Sequence, residues 1–294
     1  MRHGILLLAS LLLFAACGAA PATVDAEPGG RGLGRERRDA TAAVYVLFGQ
    51  SNAEGYAPTA GLPPDLRRPI AGCLVWHPIA GGFAPLCGGV NGRTLTAPDW
   101  CGPELTLARS LTANGDTIHL VKVAVGQTAL GPTPGPANEW DADSGELYAI
   151  LQTAITNACA DLRTRGLTPR VRGICMMQGE SDATDASWAR GYRARLGTLV
   201  RRFRNDLLQA QLAADDAVPF VIGRIDRNLP GDVFPFTALV RDAQAGTAGE
   251  HPACAAIDTS GLPMLADLTH FDTAGVIALG ERFAAALKEL QPVR

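Results

Sequence analysis

Five short apolar runs constrain this chain most: 44–48 (VYVLF), 118–125 (IHLVKVAV), 171–177 (VRGICMM), 218–223 (VPFVIG) and 254–257 (CAAI). Continuous apolar runs of this length suit strands covered on both faces. Stretches with helical spacing lie between them. GPELTLARSLTANG places Leu105, Leu107, Ala108 and Leu111 on one face. SGELYAILQTAITNACADLRTRG runs from a capping Ser144 to Gly166, residues 187–211 are amphipathic with an Arg-rich outer face, and 273–290 carries Val276, Leu279, Phe283, Leu287 and Leu290 at helical intervals. Strands alternating with helices imply a mostly parallel sheet with helices on both faces. The expected fold is therefore α/β: a three-layer α/β/α sandwich around a five-stranded sheet, formed by one domain over 43–294. The Pro- and Gly-rich stretch 56–103 is expected as a loop or small hairpin insertion lying over the site.

Of the 294 residues 47% are hydrophobic, enough for one sizeable core. The net charge of −3 gives no basic stripe of the kind a nucleic-acid binder carries. Arg31, Arg35, Arg37 and Arg38 cluster in a Gly-rich stretch that reads as solvated linker.

The N-terminus reads as an export signal over 1–17: Arg2 and His3, then GILLLASLLLFAAC, a run shorter than the roughly 20 residues of a membrane-spanning helix. Phe14-Ala15-Ala16-Cys17-Gly18 is similar to a bacterial lipoprotein box with Phe where Leu is usual, which makes Cys17 a candidate lipid anchor. Cleavage after Ala20 is the other option. Residues 18–42 read as a flexible linker. The implied location is periplasmic or cell-surface, with a possible membrane tether. Beyond Cys17 stand Cys73, Cys87, Cys101, Cys159, Cys175 and Cys254. In an exported chain an even count suggests disulfides, with Cys73 and Cys87 across a hairpin as the first candidate pair and Cys175 as a buried thiol. None of the spacings matches a zinc site, and no metal or cofactor is implied.

In an open α/β sheet, ligands bind beyond the carboxyl ends of the strands. Polar residues follow every predicted strand: Gly49-Gln50-Ser51-Asn52, Gly126-Gln127-Thr128, Gln178-Gly179-Glu180-Ser181-Asp182, Arg224-Ile225-Asp226 and, after a short loop, Asp267-Leu268-Thr269-His270-Phe271. Acyl transfer by a serine needs a base, a group that orients the base, and donors for the oxyanion. Ser51 stands at a strand-to-helix turn, as a nucleophile or a helix cap. Of five histidines only His270 stands in a loop before a helix with a carboxylate, Asp267, three residues before it; His119 lies inside a predicted strand. The Ser51 and Gly126 amides and the Gln178 side chain are the candidate oxyanion donors. Asn52 reads as an organiser of the nucleophile turn. Glu180 is either a second orienter of the histidine or a structural residue of its loop. Trp140 is a candidate platform for a sugar face, and Arg224 either anchors a polar substrate or pairs with Asp226.

These blocks, taken in order, resemble those of the SGNH hydrolases, and within them the sialate O-acetylesterase-like and family-six carbohydrate esterases. Residues 49–55 are similar to an AGQSNMxG block, 102–109 to GPELxxAR, 123–128 to VAxGGT, 177–182 to HQGExD and 267–271 to DxxHF. Gln127 departs from the second glycine of its block, and Met177 from the histidine. The resemblance covers nearly all of 44–290 and implies a flavodoxin-like fold. It implies Ser51 as nucleophile, His270 as base, Asp267 as its orienter, and an oxyanion hole of the Ser51 and Gly126 amides with Gln178. The implied activity is removal of O-acetyl groups from a carbohydrate such as sialic acid, xylan or another acetylated glycan, without cofactor. Two alternatives stay open: an acetyltransferase with a sugar hydroxyl as acceptor, and a surface carbohydrate-binding lipoprotein on a hydrolase scaffold.

Overall fold

The computed structural model describes residues 40–78, 80–89, 99–132 and 139–291. The expected signal, Cys17 and the linker up to residue 39 lie outside the described residues. In chain order the elements are β1 (Ala40–Gly49), α1 (Ser51–Glu54), β2 (Ala57–Pro58), β3 (Cys73–His77), β4 (Gly82–Pro85), β5 (Trp100–Cys101), α2 (Glu104–Leu111), β6 (Ile118–Ala124), α3 (Glu146–Thr164), β7 (Leu167–Met177), α4 (Ala186–Gln209), β8 (Phe220–Gly223), α5 (Thr237–Glu250), β9 (Cys254–Ile257) and α6 (Thr273–Leu290). The domain thus begins inside the expected linker, at Ala40.

All five predicted strands are present as β1, β6, β7, β8 and β9, and they pair in parallel in the order β6-β1-β7-β8-β9. The sheet has seven strands rather than five. The hairpin β3–β4 extends it, with β3 parallel to β6 and β4 antiparallel at the edge. This part of the 56–103 stretch therefore widens the sheet instead of lying over the site. A second, two-stranded sheet pairs β2 with β5.

Burial on both faces explains why the strands read as unbroken apolar runs. Val44, Val46, Leu47 and Phe48 of β1 are all fully buried. The Phe48 ring packs against Trp140 (5.2 Å between centroids), Phe203 of α4 (5.8 Å) and Phe220 of β8 (6.1 Å). On the opposite face α2 and α6 pack together, and Phe283 of α6 reaches Gly223 of β8. Helix α5, to which the sequence reading assigns no element, is the one long helix among the described residues without a predicted counterpart. Its run TALVRDAQAGTAGE holds two glycines and few large apolar residues, so periodicity does not mark it. Packing holds it instead, with Val240 fully buried and Gly246 against the Arg193 guanidinium.

An ion pair is buried on both sides within this frame. Lys122, in the middle of β6, is an exception to its apolar run. Its Nζ donates to Glu104 Oε2 at 2.7 Å and to the Glu54 carbonyl at 2.8 Å, with both side chains of the ion pair almost fully buried. Glu104 Oε1 accepts from the Gly102 amide at 3.0 Å. Removing one member of such a pair strands the other charge in a dry interior. Lys122→Met is expected to lower the unfolding free energy by about 3–5 kcal/mol, and adding Glu104→Leu should recover part of it. Denaturant titration of the two single variants and the double variant checks this; strictly additive losses would show the pair to be uncoupled.

Candidate active site

The strand register places one rim. Gly49 lies opposite Ala124 and Met177, Met177 opposite Gly223, and Gly223 opposite Ile257. The residues that follow these positions start from the same edge of the sheet. The order β6-β1-β7-β8-β9 reverses direction at β1, the topological switch point where open α/β sheets form their ligand crevice. Ser51 follows β1 there.

Gly49 makes the turn possible. Its φ is +141°, and a Cβ at this position would stand 1.9 Å from the Met177 carbonyl oxygen, so no side chain fits. Gln50 then extends the pairing, its amide donating to Met177 O at 2.9 Å. Gln50 Oε1 accepts from the amides of Gly179 (3.3 Å) and Ser181 (3.2 Å), which ties the loop after β7 to the turn. Ser51 is the first residue of α1, 4% exposed, and its own amide makes no hydrogen bond among the described residues. A free amide at a helix start is a ready anion donor.

Asn52 connects this turn to two other loops. Its Nδ2 donates to Glu180 Oε1 at 2.7 Å and to the Thr269 carbonyl at 3.0 Å, and its Oδ1 accepts from the Phe271 amide at 3.0 Å. Thr269 and Phe271 flank His270. The imidazole Nδ1 lies 2.7 Å from Asp267 Oδ2, while Asp267 Oδ1 accepts from the amides of Thr269 and His270, both at 2.9 Å. Leu268 takes the left-handed conformation, φ 54°, that closes this turn. Partial burial pulls the Asp267 carboxyl upward, but the His270 side chain and the His270 and Thr269 amides outweigh it and hold the acid below its ordinary range. An ionised Asp267 fixes the proton on Nδ1 and turns Nε2 outward. No hydrogen bond joins Ser51 Oγ to the ring among the described residues; such bonds often close only when substrate binds.

Several expected roles change. Gln178 is 0% exposed, and its Nε2 donates to Asp182 Oδ2 (2.6 Å) and the Thr128 carbonyl (3.1 Å), with Gln50 Oε1 at 3.3 Å. Its Oε1 accepts from the Tyr192 hydroxyl at 2.9 Å. An amide committed on both sides has no donor left for an oxyanion, so Gln178 holds loops together instead. Asp182 does the same, accepting from the Leu130 and Gly131 amides at 2.8 Å each. Trp140 is also 0% exposed, its Nε1 bonded to Thr128 Oγ1 at 2.8 Å, and it belongs to the core rather than to a sugar platform. Glu180 Oε1 accepts from Asn52 Nδ2, which favours the structural of its two readings, while its charge also interacts with His270 through space. Arg224 does not pair with Asp226, whose carboxylate accepts from the Asn228 and Gly261 amides. No disulfide joins any two of the six described cysteines, the expected pair Cys73 and Cys87 included. Among the described residues no group of three or more His, Cys, Asp or Glu could hold a metal ion.

Gly126 does lie beside Ser51. A Cβ on it would stand 3.5 Å from Ser51 Cβ and 2.7 Å from the Tyr56 hydroxyl, so the loop approaches only because it carries none. Its amide donates to Glu54 Oε2 at 2.8 Å. Tyr56, for which the sequence gives no signal, stacks on the His270 ring with centroids 4.7 Å apart and planes 16° from parallel.

A family model described as carbohydrate esterase, sialic acid-specific acetylesterase, matches residues 41–289. The chain belongs to this family. As a carbohydrate esterase of this family it is a carboxylic ester hydrolase acting on acetylated carbohydrate. Solved structures carry the same fold. A protein of Arabidopsis thaliana superposes with a TM-score of 0.65 at 21% identity, covering 85% of this chain and 98% of that one. NanS gives 0.66 at 19% identity, with 85% and 98% covered. A carbohydrate acetylesterase from Xanthomonas citri gives 0.54 at 21%, covering 84% of this chain and 56% of that one. A search of curated protein sequences gave no match.

The buried Glu180 gives this esterase a pH signature. Burial raises its acid, and the Asn52 bond only partly offsets that. A carboxyl with a raised folded pKa stabilises the fold below its unfolded value, about 4.3, and that contribution is lost as pH rises through the folded value. Glu180→Gln, which cannot ionise, is expected to gain stability relative to the parent as pH rises from about 4 toward neutrality. Thermal melts of both proteins across that range test it; a stability difference independent of pH would contradict the assignment.

Proposed function

We propose that this chain is an exported serine esterase that removes O-acetyl groups from a carbohydrate through an acyl-enzyme. The observation that carries the reading is the Asp267–His270 pair, 2.7 Å apart, secured to the Ser51 turn by both faces of the Asn52 amide. His270 takes the Ser51 proton as Oγ attacks the acetyl carbonyl. The carbonyl oxygen, now an anion, is received by the Ser51 amide and by the Gly126 amide, from which Glu54 withdraws. Each such donor is worth about 3 kcal/mol in the transition state. His270 then gives its proton to the departing sugar oxygen. A water molecule, deprotonated by the same imidazole, attacks the acetyl-serine and releases acetate.

Support for an acetylated sugar as substrate comes from the family and from its description as sialic acid-specific. Export, and a tether through Cys17, rest on the N-terminal pattern of Arg2, His3 and the apolar run that follows.

Acetate release from an aryl acetate and from acetylated sugars, sialic acid among them, tests the reading. Ser51→Ala and His270→Ala should each lose roughly 10³-fold or more while keeping the parent's circular dichroism. A Ser51→Ala variant as active as the parent would exclude the acyl-enzyme.

A further inference from the structure

Tyr56 is in contact with both halves of the proposed machinery. It follows the nucleophile turn directly and sits half-buried before β2. One face of its ring lies on the His270 imidazole, 4.7 Å between centroids and 16° from parallel. A second ring neighbour is Trp100 of β5, 6.0 Å away at 56°. Its hydroxyl lies over Gly126, 2.7 Å from where a Cβ would be. The residue therefore spans the base on one side and the oxyanion loop on the other.

A 2.7 Å bond from Asp267 to Nδ1 fixes one atom of the imidazole but leaves the ring free to swing about that contact. The histidine is carried on a loop, not on a helix or strand. A flat aromatic partner removes that freedom, since the ring can leave the stacked plane only by losing the contact. The stack also covers one imidazole face from water and offers a π-face to the imidazolium that forms as Ser51 loses its proton.

We propose that Tyr56 is a positioning residue of the esterase: its ring sets the plane of the His270 imidazole so that Nε2 meets the Ser51 hydroxyl. The inference rests on the esterase reading for its kinetic consequence and on geometry alone for its structural one, and the two are separable by experiment. Tyr56→Phe keeps the ring and Tyr56→Leu removes it.

The structural readout is the proton NMR spectrum of the mature domain, with the His270 ring signals assigned by their loss in His270→Asn. Ring current from a stacked phenol should hold those signals upfield in the parent and in Tyr56→Phe, and release them in Tyr56→Leu. The kinetic readout is aryl acetate hydrolysis. Tyr56→Leu should lose roughly 10- to 100-fold in kcat with KM little changed, and Tyr56→Phe should stay close to the parent. Signals unmoved in Tyr56→Leu, or a kcat equal to the parent's, would overturn the proposal. So would a Tyr56→Phe as impaired as Tyr56→Leu, which would place the effect in the hydroxyl. A parent that releases no acetate from any ester, with the ring-current signature intact, would instead overturn the esterase reading and leave the placement of the imidazole standing.

Discussion

The side-chain amide of Asn52 is the interaction on which the geometry of the site depends. The serine turn, the loop after β7 and the histidine loop come from distant parts of the chain, and each is held to its own strand or helix by local hydrogen bonds. Asn52 meets all three, with one donor to Glu180, one to Thr269 O and an acceptor for the Phe271 amide. An amide is the one neutral side-chain group that offers donors and an acceptor in a single plane. Aspartate in its place would lack the donors and would face the Glu180 carboxyl. The separation of Ser51 from His270 is thus set by a residue that need not touch substrate.

Beneath this turn the structure keeps a second polar fixture. Lys122 reaches from the centre of the sheet to the Glu54 carbonyl, at the end of α1, and to Glu104, at the start of α2. Burying such a pair contributes little net stability, because desolvation of both charges offsets their attraction. Its effect is directional: the ammonium, between a carbonyl and a carboxylate, holds the end of the nucleophile turn against the helix that follows β5. The network above it, where Gln178, Asp182, Tyr192 and Gln50 satisfy one another, acts in the same way. For the proposed nucleophile a loosely held turn would mean many angles to its base, and these satisfied polar groups leave it few.

The fold was legible because its strands are covered on both faces and so stand out as apolar runs. Asp267 and His270 were legible because their contact is local, three residues apart in one turn. What escaped the sequence was long-range. Gln178 occupies a strand end, so it reads as a site donor, but its neighbours from β1, the Thr128 loop and α4 consume both ends of its amide. Trp140 lies in a loop by sequence, yet its ring meets Phe48 in the core. Tyr56 had no signal because a stacking partner far along the chain leaves no trace in spacing. The β3–β4 hairpin was legible between Cys73 and Cys87, but its place at the edge of the main sheet was not, since the pairing of β3 with β6 is long-range.

Glu54 reports on the proposed oxyanion site from within. Its carboxylate accepts the Gly126 amide at 2.8 Å, close to Ser51 Cβ, and an anionic oxygen sits there without any side chain in its way. That is the chemistry an oxyanion requires: a backbone N–H aimed at a point beside the nucleophile, in a space that accepts negative charge. A carboxylate held there also imposes a condition. It and a tetrahedral oxyanion cannot share one donor, because two like charges at that distance repel strongly in a partly buried site. In the proposed mechanism the acyl group therefore displaces Glu54 from Gly126 before or as the carbonyl is attacked. Glu54 ends the short helix that Ser51 begins, and Asn52 between them ties that helix to the histidine loop, so the same turn carries the proposed nucleophile and the carboxylate that its oxyanion must replace.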